Sequence, residues 1–215
     1  MNIDVIKVTR RISMTYLVVN CNDWLGFHIV NTLLENDFNV DGIEDQNKND
    51  HLSMFFGRNS SFSFVDSTVK RKYDTVIYTG DELKGIQSER KVFISDNNTG
   101  IKGTSKKSEV YINTPFLFGE WMPMDEKGVY RNQEYIPFES ELFKTTAVYI
   151  NHFTKGLVQW LKTPELSQVL EVKSANQTDK DDVKFENSIY LRDNIPIMED
   201  VKKVLDHYQL YKDIY

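Results

Sequence analysis

The stretch YLVVNCNDWLGFHIV, Tyr16 to Val30, decides how the rest of the chain is read. Its first four residues, Tyr16 to Val19, form a continuous apolar run of the kind a doubly buried strand shows. From about Trp24 to Asn36, Leu25, Ile29, Thr32 and Leu33 return at helical spacing and predict a helix. A strand running straight into a helix opens a βαβ unit, and a phosphate-binding turn between them calls for glycine. Here the turn reads Asn20, Cys21, Asn22, Asp23.

Beyond this unit, strand-like segments recur at short intervals. They are Phe38–Glu44, Ser61–Asp66, Asp74–Gly80, Lys91–Ser95 and the EVYINTP run from Glu109, followed by FLFGEW. Between them, HLSMFFG reads as a short helical piece and STVKRKY as at most two helical turns. Thr146–Asn151 reads as a further strand, HFTKGLVQWLKTP as a helix with Phe153, Leu157, Trp160 and Leu161 inward, and VLEVKSA as the last strand of the main unit. The segment after Pro196 reads as a closing amphipathic helix. Alternation of strand and helix through the first half predicts an α/β fold: a Rossmann-like, doubly wound parallel sheet with a small C-terminal subdomain. The expected divisions are an arm at 1–13, a core at 14–120 continued at 146–176, an excursion at 121–145 and a C-terminal subdomain at 177–215.

Composition narrows the function classes. The chain has 215 residues, 40% hydrophobic and 13% aromatic, which suits a globular core rather than disorder. A net charge of −6 argues against a nucleic-acid surface, and no apolar run approaches a membrane span. One cysteine excludes an internal disulfide, so a reducing, cytoplasmic setting is expected. The four histidines, His28, His51, His152 and His207, lack metal-ligand spacing. Cys21 reads as a small residue beside the sheet, and Lys102, Lys106 and Lys107 as a solvated glycine loop without Walker spacing.

The order of elements resembles the extended short-chain dehydrogenase/reductases, the NAD-dependent nucleotide-sugar epimerases and dehydratases. Four stretches carry the resemblance: Tyr16–Asp45, YDTVIYTG with VFISD, VYINTPFLFGEW, and AVYINHFTKGLVQWLKTPE. The resemblance implies three loop glycines at the positions of Asn20, Asp23 and Gly26, of which only Gly26 remains. It places Glu44 like the acid that holds an adenosine ribose, and Ser95 or Asp96 at the catalytic Ser/Thr position. It also implies a Tyr-x-x-x-Lys pair on the next helix. Only DNNTGIKGTSKKS, residues 96–108, lies there, with two glycines and no tyrosine. The one such spacing in the chain, Tyr208 and Lys212, falls on the closing helix, where chance explains it. The family arginine and asparagine correspond to Asn113 and Phe116, and its paired aspartates to Asn151 and His152.

Two consecutive crossover helices, after the fourth and fifth strands, therefore read as shortened or missing, since ten to thirteen residues leave little room for one. In the family these helices build the homodimer, so that homodimer is not expected. A sheet face carrying Val76, Tyr78 and Phe93 needs a cover, either another part of the chain or a protein partner. The expectation is a non-catalytic, epimerase-like domain acting through a protein partner, without cofactor, suited to an inhibitor or regulator of that partner carried by a phage or mobile element. Its contact surface is placed at Asp81, Leu83, Ile86, Ile101, Lys106 and Lys107. The alternative is a divergent NAD- or NADP-dependent epimerase, dehydratase or reductase using Asn20, Asn22, Gly26 and Glu44 for cofactor and Ser95 or Asp96 for acid–base work. A second alternative is a nucleotide or sugar sensor without turnover.

Overall fold

The computed structural model describes residues 14–45, 51–96, 106–131, 133–175, 188–191 and 196–215. The expected arm at 1–13 and Ile101 lie outside these residues. β1 (Thr15–Val19) leads through a four-residue turn to α1 (Trp24–Glu35) and then β2 (Asn39–Ile43). After a 3-10 turn at Leu52–Phe55 come β3 (Phe62–Phe64), β4 (Lys72–Tyr78), β5 (Gln87–Ser95) and β6 (Glu109–Asn113). β7 (Phe116–Phe118) pairs in parallel with β10 (Ala147–Tyr149) as a small separate sheet. Between them stand the hairpin β8 (Gly128–Arg131) and β9 (Glu134–Pro137) and the short helix α2 (Glu141–Thr146). α3 (Ile150–Lys162), β11 (Val169–Ser174), β12 (Ser188–Leu191) and α4 (Ile197–Tyr211) complete the order.

The main sheet has eight strands in the order β12-β11-β6-β5-β4-β1-β2-β3, and every neighbouring pair is parallel. Sequence order reverses at β1, which lies between β4 and β2, with Tyr16 opposite both Val40 and Thr75. This is the doubly wound arrangement read from the sequence. In β1, alternation sends Tyr16 and Val18 to the face covered by α1 and α3, and Leu17 and Val19 to the other. On the helical face α3 buries Phe153, Leu157, Val158 and Leu161, each worth roughly 1.5–3 kcal/mol against exposure. Arg90 reaches the end of this helix and donates to the carbonyl oxygens of Leu161 (2.5 Å) and Thr163 (3.3 Å), where a cation suits the helix dipole. Val201, Val204 and Tyr208 of α4 join the same core as Phe118 and Tyr149, and β12 extends the main sheet.

Among the described residues, the other face carries no crossover helix after β4 or β5. β4 and β5 are joined by 79–86 without a helix, and the described part of the β5–β6 connection, Asp96 and 106–108, is not helical. β5 begins four residues earlier than expected, because Gln87–Arg90 pair with Lys72–Thr75 and turn connector into strand. STVKRKY forms no helix; Asp66 instead accepts from the Thr68 amide at 2.7 Å, and β4 starts within the segment. The Thr146–Asn151 strand shrinks to three residues, with α3 beginning at Ile150. Val76 and Tyr78 are fully buried in a second cluster with Leu17, Val19 and Ile86, onto which Val65, Val69 and Leu83 pack. Tyr78, Phe93 and Tyr111, opposite one another in register, stack across three strands at 5.0 and 4.8 Å with interplanar angles of 11° and 13°. Short connectors and a self-stacking aromatic row thus cover much of what helices cover elsewhere.

α1 packs against the turn before it so closely that a Cβ on Gly26 would lie 2.1 Å from the Asn20 carbonyl oxygen. Backbone cannot yield there as a flexible side chain can. Gly26→Ala is therefore expected to cost about 3 kcal/mol, the upper range for over-packing, as a lowered urea midpoint with unchanged slope.

Candidate functional site

The C-terminal ends of β1, β4, β5 and β6 open into a cleft of about 1070 Å³ at the point where strand order reverses. Open α/β sheets bind ligands at this point. Asn22, Asp23, Thr79, Ser95, Asp96 and Thr114 line its sheet side, and Trp121 from the β7–β8 segment stands with Tyr208, Lys212 and Tyr215 of the C-terminal segment on the other wall.

The turn keeps its shape with different residues. Asn20 has a φ of 61°, the left-handed conformation that glycine supplies elsewhere and that asparagine tolerates better than most residues. Its side-chain amide nitrogen would sit 2.7 Å from a Cβ on Gly80, at the end of β4. Asn22 is buried and committed: its amide donates to the Asp45 carbonyl oxygen at 2.9 Å, and its oxygen accepts the Asp45 N–H at 2.7 Å. Together with the bond from Cys21 N–H to Ile43 O (3.0 Å), this ties the turn to the end of β2. Asp23 occupies the N-cap position of α1 with extended backbone, but its side chain makes no capping bond. Cys21 is fully buried, its Sγ 2.7 Å from where a Cβ on Gly42 would stand; burial, helped by the Glu44 charge, pushes the thiol up to about 12. It is a small packed residue.

The cations of the cleft are already engaged. Arg131 donates from Nε to Asp96 Oδ2 (3.1 Å) and from Nη2 to the Asp96 carbonyl oxygen (3.0 Å). Lys212 bonds Glu126 at 3.1 Å. Thr79 and Thr114 give their hydroxyl protons to the carbonyl oxygens of Val19 and Ser95. A diphosphate offers only acceptors and negative charge, and these side chains do not fit it. Glu44 is exposed and does not line the cleft.

Among the residues named for partner contact, Asp81, Lys106 and Lys107 are exposed and Leu83 is half-buried. Ile86 is only 6% exposed and closes the second cluster, so it serves the fold. Tyr208 and Lys212, placed by sequence away from the site, both reach the cleft, because α4 turns back over the sheet end. The lysine nitrogen lies over the tyrosine ring, 5.6 Å from its centroid, rather than at its hydroxyl.

Sequence reasoning missed the wall of this cleft. Trp121 has a φ of 67°, unusual for so bulky a residue, and is held there from several sides. Its N–H donates to the Tyr215 hydroxyl (3.0 Å), which shares a hydrogen bond with His207 Nδ1 (2.7 Å). The indole stacks on the Tyr215 ring at 5.2 Å and meets His207 edge-on at 4.5 Å. Next to it, His28 Nε2 donates to the Glu120 carbonyl oxygen at 3.0 Å, and Glu120 Oε1 accepts from Tyr149 at 2.6 Å. The only sequence signal was the run Gly119, Glu120, Trp121, read as part of a family segment.

No family model matches the sequence, and no curated protein does. Solved structures do. The dTDP-glucose 4,6-dehydratase of Bacillus anthracis, in complex with NAD, superposes with a TM-score of 0.61 at 8% identity, over 94% of this chain and 98% of that one. The chain has the epimerase/dehydratase fold. An epimerase of Methanothermobacter thermautotrophicus gives a TM-score of 0.61 at 10% identity over 94% of each chain. A UDP-galactose 4-epimerase gives 0.57 at 13%, over 94% of this chain and 100% of that one. The similarity spans the core, the excursion and the C-terminal segment, while the epimerase-like turn carries side chains unsuited to a diphosphate.

Burial lowers the pKa of His28 and of His207 below the ordinary 6.5, against the opposing pull of Glu120. Both rings are neutral in the fold, and the unfolded chain takes up protons first as pH falls. Stability is therefore complete above pH 6.5 and declines as pH falls through the lowered values. The carboxylates held low by hydrogen bonds, Asp66, Asp125 and Glu126, act only in more acidic solution. Urea midpoints measured from pH 7.5 to 5.5 should fall, and less steeply in His207→Asn.

Proposed function

We propose that this chain is a non-catalytic protein of the epimerase/dehydratase fold that acts by binding a protein partner. The observation that carries the proposal is the passage from β5 to β6. Residues 96–108 hold no tyrosine, and the described part is not helical, so the general acid–base pair implied by the resemblance has nowhere to stand. Asp96, the acid at that position, is engaged by Arg131. The turn at the cleft keeps its path, but Asn22 is spent within the protein and both cations already face carboxylates there. Binding is what this scaffold can still offer. The strand ends and connectors around β4, β5 and β6 present Asp81, Lys106 and Lys107 exposed, and Phe93 and Tyr111 are half-buried on those strands.

A divergent NAD- or NADP-dependent enzyme, or a sensor without turnover, is the second reading. It is favoured by the left-handed Asn20, the retained Gly26 and the arrival of Tyr208 and Lys212 in the cleft.

Two measurements decide between them. A ligand at about 100 times its dissociation constant stabilises a protein by about 2.7 kcal/mol, which a thermal shift resolves easily. With millimolar NAD, NADH, NADP or NADPH the expected shift is nil, and a clear shift moves the reading to the enzyme or sensor. In native extract the chain is expected to migrate in a complex with another polypeptide, well above its own 25.2 kDa. Migration alone at that mass overturns the proposal.

A further inference from the structure

A second cavity, of about 500 Å³, lies between α1, α3 and α4 and shares Trp121 with the cleft. Glu120 lines it. One oxygen of its carboxylate, Oε1, accepts from Tyr149; the other, Oε2, is buried and has no hydrogen-bond partner. A carboxylate completed on one oxygen only is a costly charge to hold half-buried, and a cation in the adjoining cavity would offset that cost through space.

The surrounding groups do not complete it. His28 Nε2 is 3.8 Å from Oε2, but its proton goes to the Glu120 carbonyl oxygen, and the buried ring stays neutral. Lys203 of α4 is held by Asp200 at 2.6 Å and lies over the Tyr149 ring at 5.8 Å, so it feels the Glu120 charge only through space. Lys155 of α3 lines the cavity from an exposed position and makes no ion pair with Glu120. His207 of α4 meets the Tyr215 hydroxyl through Nδ1. Along one wall run three aromatic rings in mutual contact: Phe27 and Phe55 at 5.8 Å, Phe27 and Trp121 at 6.3 Å, and Phe55 and Trp121 at 5.2 Å. Aromatic faces attract cations, most strongly when water is excluded, and a carboxylate beside them supplies the counter-charge. Volume, a carboxylate charge and an aromatic wall converge on one ligand chemistry.

We propose that this cavity is a binding site for a small organic cation, an alkylammonium group with Glu120 as its counter-ion and Phe27, Phe55 and Trp121 as its wall. The site is separate from the switch-point cleft and stands whichever reading of that cleft holds.

Choline is a suitable probe, and 3,3-dimethyl-1-butanol is its uncharged isostere. Calorimetric titration of the full chain at pH 7.5 is expected to show saturable choline binding, at least tenfold tighter than the isostere. Glu120→Gln keeps an acceptor for the Tyr149 hydroxyl and should weaken choline at least tenfold. Phe55 is 50% exposed, so Phe55→Ala spares the fold and should weaken choline severalfold; it decides the matter alone if Glu120→Gln does not fold. Absence of choline binding, equal affinity for the isostere, or choline affinity unchanged in the folded variants each overturns the proposal.

Discussion

Everything in this molecule hangs on the contact between the backbone of Gly26 and the carbonyl of Asn20. That contact sets α1 down on the end of β1, and β1 is the strand about which the sheet order reverses. With α1 seated, its buried face meets α3, and the two helices enclose the larger core. The left-handed Asn20 is the other half of the same constraint, since the chain must turn sharply before the helix can approach. Of the three glycines implied by the resemblance, the chain has kept the one required by packing. It has replaced the turn glycine with the residue type that best tolerates the conformation. The glycine that would let a diphosphate approach is gone. Selection for the fold explains all three outcomes; selection for a dinucleotide explains only the first two.

The same economy is visible in the hydrogen bonds of the cleft. Asn22 clamps the turn to the end of β2, Arg131 clamps the hairpin to Asp96, and Lys212 clamps the C-terminal segment to Glu126. Each of these side chains offers donors, and donors are what a phosphate needs. Here they hold loops together. A site that turns its donors inward gains rigidity and loses affinity for anions.

Much of the fold was legible in the sequence because it rests on local pattern. The apolar run of β1, the helical spacing of α1 and α3 and the turn composition are all written within a few residues of one another. The lack of a helix between β4 and β5 was legible for a simpler reason, since 79–86 is too short to hold one. What could not be read were features set by distant pairing. Gln87–Arg90 became strand because β4 lay beside them, overriding a loop-like composition. Ile86, polar-flanked in sequence, is buried because that connector folds inward. Tyr208 and Lys212 reached the cleft through the path of α4, which no spacing rule records. The hydrogen bond from His28 to the Glu120 carbonyl oxygen joins residues 92 positions apart, beyond any motif.

The face of β4 and β5 opposite α1 and α3 shows how short connectors can cover a sheet. Val76 and Tyr78 are sealed by Leu83 and Ile86 from one short connector and by Val65 and Val69 from another. Farther along, Phe93 and Tyr111 cover each other's faces by stacking, while Glu89 and Lys91, on the same side of β5, pair with Lys72 and Glu82. Such exposed pairs contribute about 0–1 kcal/mol each, so an arriving surface can exchange them at little cost. The stacked rings are different: they keep apolar area that a partner can still bury. A partner on this side would therefore gain its energy from Phe93 and Tyr111 and its orientation from the charges around them. The face is stable without that partner and still has something to offer one.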